Sequence, residues 1–75
     1  MIKAAIFGYG TVGSGVYEVL TRNSAMIQGK LGDRIEVKYV LDLREFPGDP
    51  VQDVLVHDVN TILDDEEVSI ICETT

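Results

Sequence analysis

Apolar residues recur along this chain in short runs, separated by glycine, proline and acidic segments. The first run, Ile2 to Phe7, is nearly continuous. Its β-branched start and the glycines behind it favour a buried parallel strand over a helix. Val12, Val16, Val19, Leu20, Asn23 and Ile27 then recur at steps of three and four, which predicts one face of a helix. Glu18 and Arg22 stand four apart on the wet side, in the order that favours a weak ion pair. The helix is expected to fray before Gly29, with a turn at Gly32-Asp33. Ile35 to Leu41 starts with alternation and ends apolar, as a partly covered strand does. Phe46-Pro47-Gly48-Asp49-Pro50 predicts a loop, because two prolines and a glycine oppose regular structure. Val54-Leu55-Val56 fits a short third strand. Asp58 is placed to cap a short helix through Asn60-Thr61-Ile62-Leu63. The acidic run 64–67 reads as a solvated connection, and Val68 to Glu73 as a buried strand.

Apolar strands joined by helical crossovers point to a parallel sheet. Such crossovers are right-handed almost without exception. The strand at 35–41 should therefore lie beside the first strand, and the strand at 68–73 on its other side. A ligand crevice opens where the strand order reverses, above the C-terminal strand ends. Gly8 to Gly13 and Glu73-Thr74 would flank that crevice.

The junction between the first strand and first helix reads Gly8-Tyr9-Gly10-Thr11-Val12-Gly13. This G-x-G-x-x-G spacing is weak alone, but at a strand-to-helix junction it is the fingerprint of a dinucleotide site. Gly8 allows the tight turn, Gly10 lets a pyrophosphate approach the backbone, and Gly13 lets the helix pack close to the sheet. The N–H groups of Thr11, Val12 and Gly13 and the positive end of the helix dipole would face the phosphates. The competing reading is a glycine-rich turn without a ligand. The expected fold class is α/β: the N-terminal half of a Rossmann-type doubly wound parallel sheet, in three αβα layers.

The second half of such a fingerprint is an acid at the end of strand two, which accepts from the adenosine ribose and favours NAD. Asp42 is the candidate. It stands 29 residues after Gly13, a longer gap than the usual one of about 20. Arg44 lies two residues on and could instead clamp the 2′-phosphate of NADP. A carboxylate at position 42 would repel that phosphate, so the balance leans to NAD or dual use. Asp42 could also be a plain turn residue at a strand end. Tyr9 could pack over the cofactor or cap the cleft. His57 has no second ligand at metal spacing and reads as a surface residue. Cys72 alternates within an apolar strand and reads as inert core. No metal site and no nucleophile–base arrangement is visible.

Composition narrows the setting. The net charge is −7, from 13 acids against 6 bases. That opposes nucleic-acid binding and anionic membranes, and it leaves a dinucleotide to be held by local backbone donors. One cysteine permits no internal disulfide and fits a reducing compartment. No signal peptide or membrane span is visible, so the expected location is cytoplasmic. At 75 residues the chain is about half of what a doubly wound domain needs. It is expected to be the N-terminal part of a dinucleotide-binding domain, with the catalytic domain lying elsewhere. Too few helices remain to cover two sheet faces, so exposed apolar surface and self-association of the isolated chain are expected.

The segment Ala5-Ile6-Phe7-Gly8-Tyr9-Gly10-Thr11-Val12-Gly13-Ser14-Gly15-Val16 resembles the N-terminus of homoserine dehydrogenase, which runs G-F-G-T-V-G-S-G-V after its first strand. Val68 to Thr74 resembles the family's next landmark, an apolar strand ending in an acid and a small residue. Val40-Leu41-Asp42-Leu43-Arg44 sits where the family carries its ribose-side residues. The resemblance implies an oxidoreductase that interconverts homoserine and aspartate semialdehyde with NAD or NADP, in threonine and methionine biosynthesis. It places Gly8 to Gly13, Asp42, Arg44 and Thr74 at the cofactor and every catalytic residue outside this chain. Tyr9 stands for the family's phenylalanine, and the Val-Arg-Asp pattern of NADP-using members is not reproduced. The full-length protein is expected to be a homo-oligomer. The alternatives are another NAD(P)-dependent dehydrogenase or reductase with the same N-terminal unit, and a nucleotide-sensing module without catalysis.

Overall fold

The structure, a computed structural model, describes residues 2–22, 29, 32 and 34–74. Its elements are β1 (Ile2–Phe7), α1 (Thr11–Arg22), β2 (Ile35–Leu41), a 3₁₀ turn (Pro50–Asp53), β3 (Leu55–Val56), α2 (Val59–Leu63) and β4 (Val68–Glu73). The strands form one parallel sheet in the order β3-β2-β1-β4. The expected α/β class and the strands placed on either side of β1 are therefore borne out. The β1-to-β2 and β3-to-β4 crossovers run in opposite directions along the sheet, and crossovers of the usual right hand in opposite directions place their helices on opposite faces.

β1 is central and carries the most buried run, Ala4, Ala5 and Ile6. The β1–β2 register shifts between Ala4 and Ala5, where Ala4 pairs with Val37 and Ala5 with Tyr39. Lys38 is thus the extra residue of a bulge. The bulge moves the alternation by one position, so Val37 and Val40 both reach the same core. That core gathers Ile6, Tyr9, Val37, Val40 and Val51, with Val16, Tyr17 and Leu20 of α1 packed against it. Ile62 is the buried residue of α2.

Several sequence expectations shift. The helical stripe is turned: Gly13, Val16, Tyr17 and Leu20 face the sheet, while Val12 and Val19 are exposed. Gly13 is the position where backbone meets backbone, and that contact fixes the helix's rotation. Gly29 is itself helical, so the expected fraying before it does not describe that residue. Asn23, Ile27 and Asp33 lie outside the described residues. Gly32 takes φ +75°, as the expected turn requires. Part of the proline-rich loop is regular: Asp49 caps the 3₁₀ turn and accepts the Val51 amide, and Pro50 opens it. Asp65 is not simply solvated, because it holds Lys38 at 2.5 Å and the Tyr39 hydroxyl at 2.7 Å. These partners, the Lys38 ammonium first, lower its carboxyl pKa to about 2. β4 forms as a strand but is not buried, since Ile70 and Ile71 are 41% and 45% exposed. Val12, Val19, Leu43, Val59 and Leu63 are likewise exposed, as expected of so few helices. No helix among the described residues is long and apolar enough to cross a membrane.

Candidate functional site

The site grows from the place where β1 and β2 end together. The parallel ladder runs one step past the strands: the Gly8 amide donates to Leu41 O at 2.7 Å, and the Thr74 amide donates to Phe7 O at 3.0 Å. Gly8 then turns the chain at φ +94°, a left-handed conformation open to glycine. The first bond of α1 runs from the Ser14 amide to Gly10 O at 2.9 Å. The amides of Thr11, Val12 and Gly13 precede it and have no carbonyl four residues back within the helix. The turn therefore ends in a helix N-terminus with donors and the positive end of the dipole.

The glycines differ in what they allow. A Cβ at Gly13 would lie 2.1 Å from the Gly8 carbonyl oxygen and 2.9 Å from Thr74 Oγ1. Helix and strand end are in contact there, and no side chain fits. A Cβ at Gly10 would meet nothing within 4 Å. Its absence leaves open backbone at the mouth of the turn. Thr74 secures this region from the far strand: its hydroxyl donates to Phe7 O at 2.8 Å, with Gly8 O at 3.1 Å.

The second wall is the segment after β2. The Asp42 side chain is only 10% exposed. Its Oδ2 accepts from the Tyr9 amide at 2.9 Å and from Arg44 Nη2 at 3.0 Å. Its Oδ1 accepts from the Arg44 amide at 2.9 Å and Arg44 Nε at 3.1 Å. The guanidinium holds the Asp42 carboxyl well below the usual carboxylate range, against burial, and the two amides add to the effect. Asp42 and Arg44, which spacing alone sets in competition, thus form one bidentate pair. Arg44 also lies over the Phe46 ring, 5.2 Å from its centroid.

His57 is exposed, yet it belongs to this wall. Its Nδ1 lies 2.7 Å from Asp42 O and its Nε2 2.9 Å from Glu45 Oε1. Both partners are acceptors, and only imidazolium donates from both nitrogens. The Asp42 carbonyl first, then the Glu45 carboxylate, raise the His57 pKa. A cleft of about 810 Å³ opens between Gly8 and the segment after β2, and Gly10, Thr11, Val12, Gly13 and Thr74 are not among its lining residues. Phe7 and Gly8 line one side, Leu41, Asp42 and Arg44 another, with His57, Val59 and Glu73 around the rim.

Tyr9 does not line this cleft. Its ring is buried in the core, edge-on to Tyr17 and Phe46 at 5.9 and 4.9 Å between centroids. Its hydroxyl faces Asp49, 3.2 Å from Oδ1, on the inner side. Cys72 is partly buried and packs against the core. His57 is the surface residue the sequence suggests, but its place at the cleft and the role of Asp49 are not read from the sequence. The signal for Asp49 was present, since aspartate before proline is the pattern of a cap followed by the first residue of a helical turn. His57 carried none, because its partners are 12 and 15 residues away.

Solved structures similar to this chain include homoserine dehydrogenase from S. aureus in crystals at pH 7.0, with 37% identity and a TM-score of 0.82. The same enzyme at pH 6.0 gives 36% identity and a TM-score of 0.83. Each match covers 96% of this chain and 19% of that one, so the chain spans about a fifth of the structures it matches. No family model and no curated protein matches it. The resemblance carried by the glycine segment thus extends through the whole Rossmann-like sheet.

Proposed function

We propose that this chain is the dinucleotide-binding part of an NAD(P)-dependent homoserine dehydrogenase. The observation that carries this reading is the cleft at the reversal of strand order, lined by Gly8 and Asp42, beside a helix N-terminus where a Cβ on Gly10 would meet no neighbour. The likeness to homoserine dehydrogenase supports this reading, and the reaction proposed is the interconversion of homoserine and aspartate semialdehyde. The residues fit a dinucleotide. Gly10 leaves room for a pyrophosphate to meet the backbone, and the amides of Thr11, Val12 and Gly13 would hold its oxygens. Gly8 and Thr74 hold that turn in place. Asp42 would meet the adenosine ribose and Arg44 its 2′ side. Asp42 makes NAD the favoured cofactor, and its pairing with Arg44 keeps NADP in reach. When bound, the nicotinamide supplies the hydride acceptor or donor. This chain binds and orients, and a further domain presents the substrate.

The test is the full-length protein. It should produce NADH or NADPH in a homoserine-dependent way, and Gly10→Asp should abolish dinucleotide binding by calorimetry. Asp at a helix cap is compatible with folding, and nothing lies within 4 Å of the new Cβ. The loss would therefore report the carboxylate at the phosphate position. Unchanged affinity would refute this placement of the site. Dinucleotide binding without homoserine turnover would favour a sensing module.

A further inference from the structure

Tyr9 is bonded at its two ends to the two ends of one connection. Its amide donates to Asp42 Oδ2 at 2.9 Å, where the segment leaves β2. Its hydroxyl lies 3.2 Å from Asp49 Oδ1 and 3.3 Å from Oδ2, where the same segment enters the 3₁₀ turn. Asp49 Oδ1 also accepts the amide of Val51, a fully buried core residue. Between the two tethers lie Arg44, on the cleft wall, and Phe46, whose ring packs edge-on against Tyr9. The residue between the first two glycines of the motif therefore closes the 42–49 segment into a loop pinned to the glycine turn.

We propose that Tyr9 is a positioning residue, whose hydroxyl, through Asp49, sets the Arg44-bearing loop against the glycine turn and so sets dinucleotide affinity. The inference rests on the dinucleotide reading above. A shared anchor moves both walls of the cleft together, so a ligand spanning them meets a preorganised site. Losing the hydroxyl loosens the far end of the loop from the glycine turn, leaving Asp49 held by the Val51 amide, while the Asp42 tether and the ring contacts remain.

The experiment compares wild type, Tyr9→Phe, Asp49→Asn, Asp49→Ala and the Tyr9→Phe/Asp49→Ala double variant in the full-length protein, with NAD and NADP titrated separately by calorimetry. Tyr9→Phe should raise the dinucleotide Kd about three- to ten-fold, the worth of one net hydrogen bond. Asp49→Asn keeps an oxygen for both the hydroxyl and the Val51 amide, and should stay within about two-fold of wild type. The double variant should bind no more weakly than Asp49→Ala, because the two changes remove the same bond. The NAD-to-NADP affinity ratio should also move in Tyr9→Phe, which general destabilisation would not cause. Hydrogen exchange should rise across 43–48 and not in β1. Tyr9→Phe affinities within about two-fold of wild type for both dinucleotides, multiplicative effects in the double variant, or unchanged exchange across 43–48 would each overturn the proposal. Failure of the dinucleotide reading is separately visible: wild type itself would then bind neither dinucleotide, and exchange would still decide whether the hydroxyl holds the loop.

Discussion

The glycine turn works through backbone, and the segment after β2 works through side chains. At the glycine turn, Gly8, Gly10 and Gly13 act through the absence of a Cβ, and the contact of Gly13 with the Gly8 carbonyl is steric. At the 42–57 wall, Asp42, Arg44, Glu45 and His57 act through charge and hydrogen bonds, and most are partly solvated. A steric contact such as that at Gly13 admits no added side chain and is insensitive to pH. An electrostatic wall yields to substitution but responds to protons. The two should therefore fail in different ways.

The largest expected effect is Gly13→Ala. A Cβ 2.1 Å from a backbone oxygen forces α1 off the strand end, and the change should cost about 3 kcal/mol or more in urea unfolding. Gly10→Ala meets no neighbour and should cost at most about 1 kcal/mol, through a poorer helix cap. Equal losses at the two glycines would break the steric account. Next is Thr74→Val, which deletes the hydroxyl bonded to Phe7 O. It should cost about 1 kcal/mol, with Thr74→Ser close to wild type.

The smallest effect at neutral pH is Arg44→Ala, because its pair with Asp42 is solvated on the arginine side and contributes little. Its signature is the pH profile. Arg44 lowers the folded pKa of Asp42. The stabilisation is complete above the ordinary carboxylate value of about 4 and is lost as pH falls through that range towards the folded value. Arg44→Ala should flatten this acid limb. His57 runs the opposite way. Its folded pKa is raised, so its contribution is complete below about pH 6.5 and lost as pH rises through the higher folded value. Unfolding measured across pH 3–9 separates the limbs, and an acid limb unchanged in Arg44→Ala would remove Asp42–Arg44 from the account.

Much of this was legible in the chain. β1, β2, β4, the cap at Asp58 and the glycine turn follow from local patterns that need only neighbouring residues. Asp42 and Arg44 were found as candidates because they follow a strand end. Their relation was misjudged as competition, since a pair two residues apart becomes bidentate only when the turn brings the guanidinium back. β4 read as buried because its apolar run is continuous, yet burial is a property of what lies next to a strand, and its outer edge has no neighbour among the described residues.

The sequence by itself determined the order of elements, the parallel sheet and the position of the glycine turn, because sterics and periodicity act over a few residues. Only the tertiary structure decided which face α1 presents, how the bulge at Lys38 aligns Val37 with Val40, and that Tyr9 points inward to Asp49 rather than over the cleft. Those outcomes depend on groups 33 and 40 residues apart meeting within hydrogen-bond distance, and no local pattern encodes such meetings.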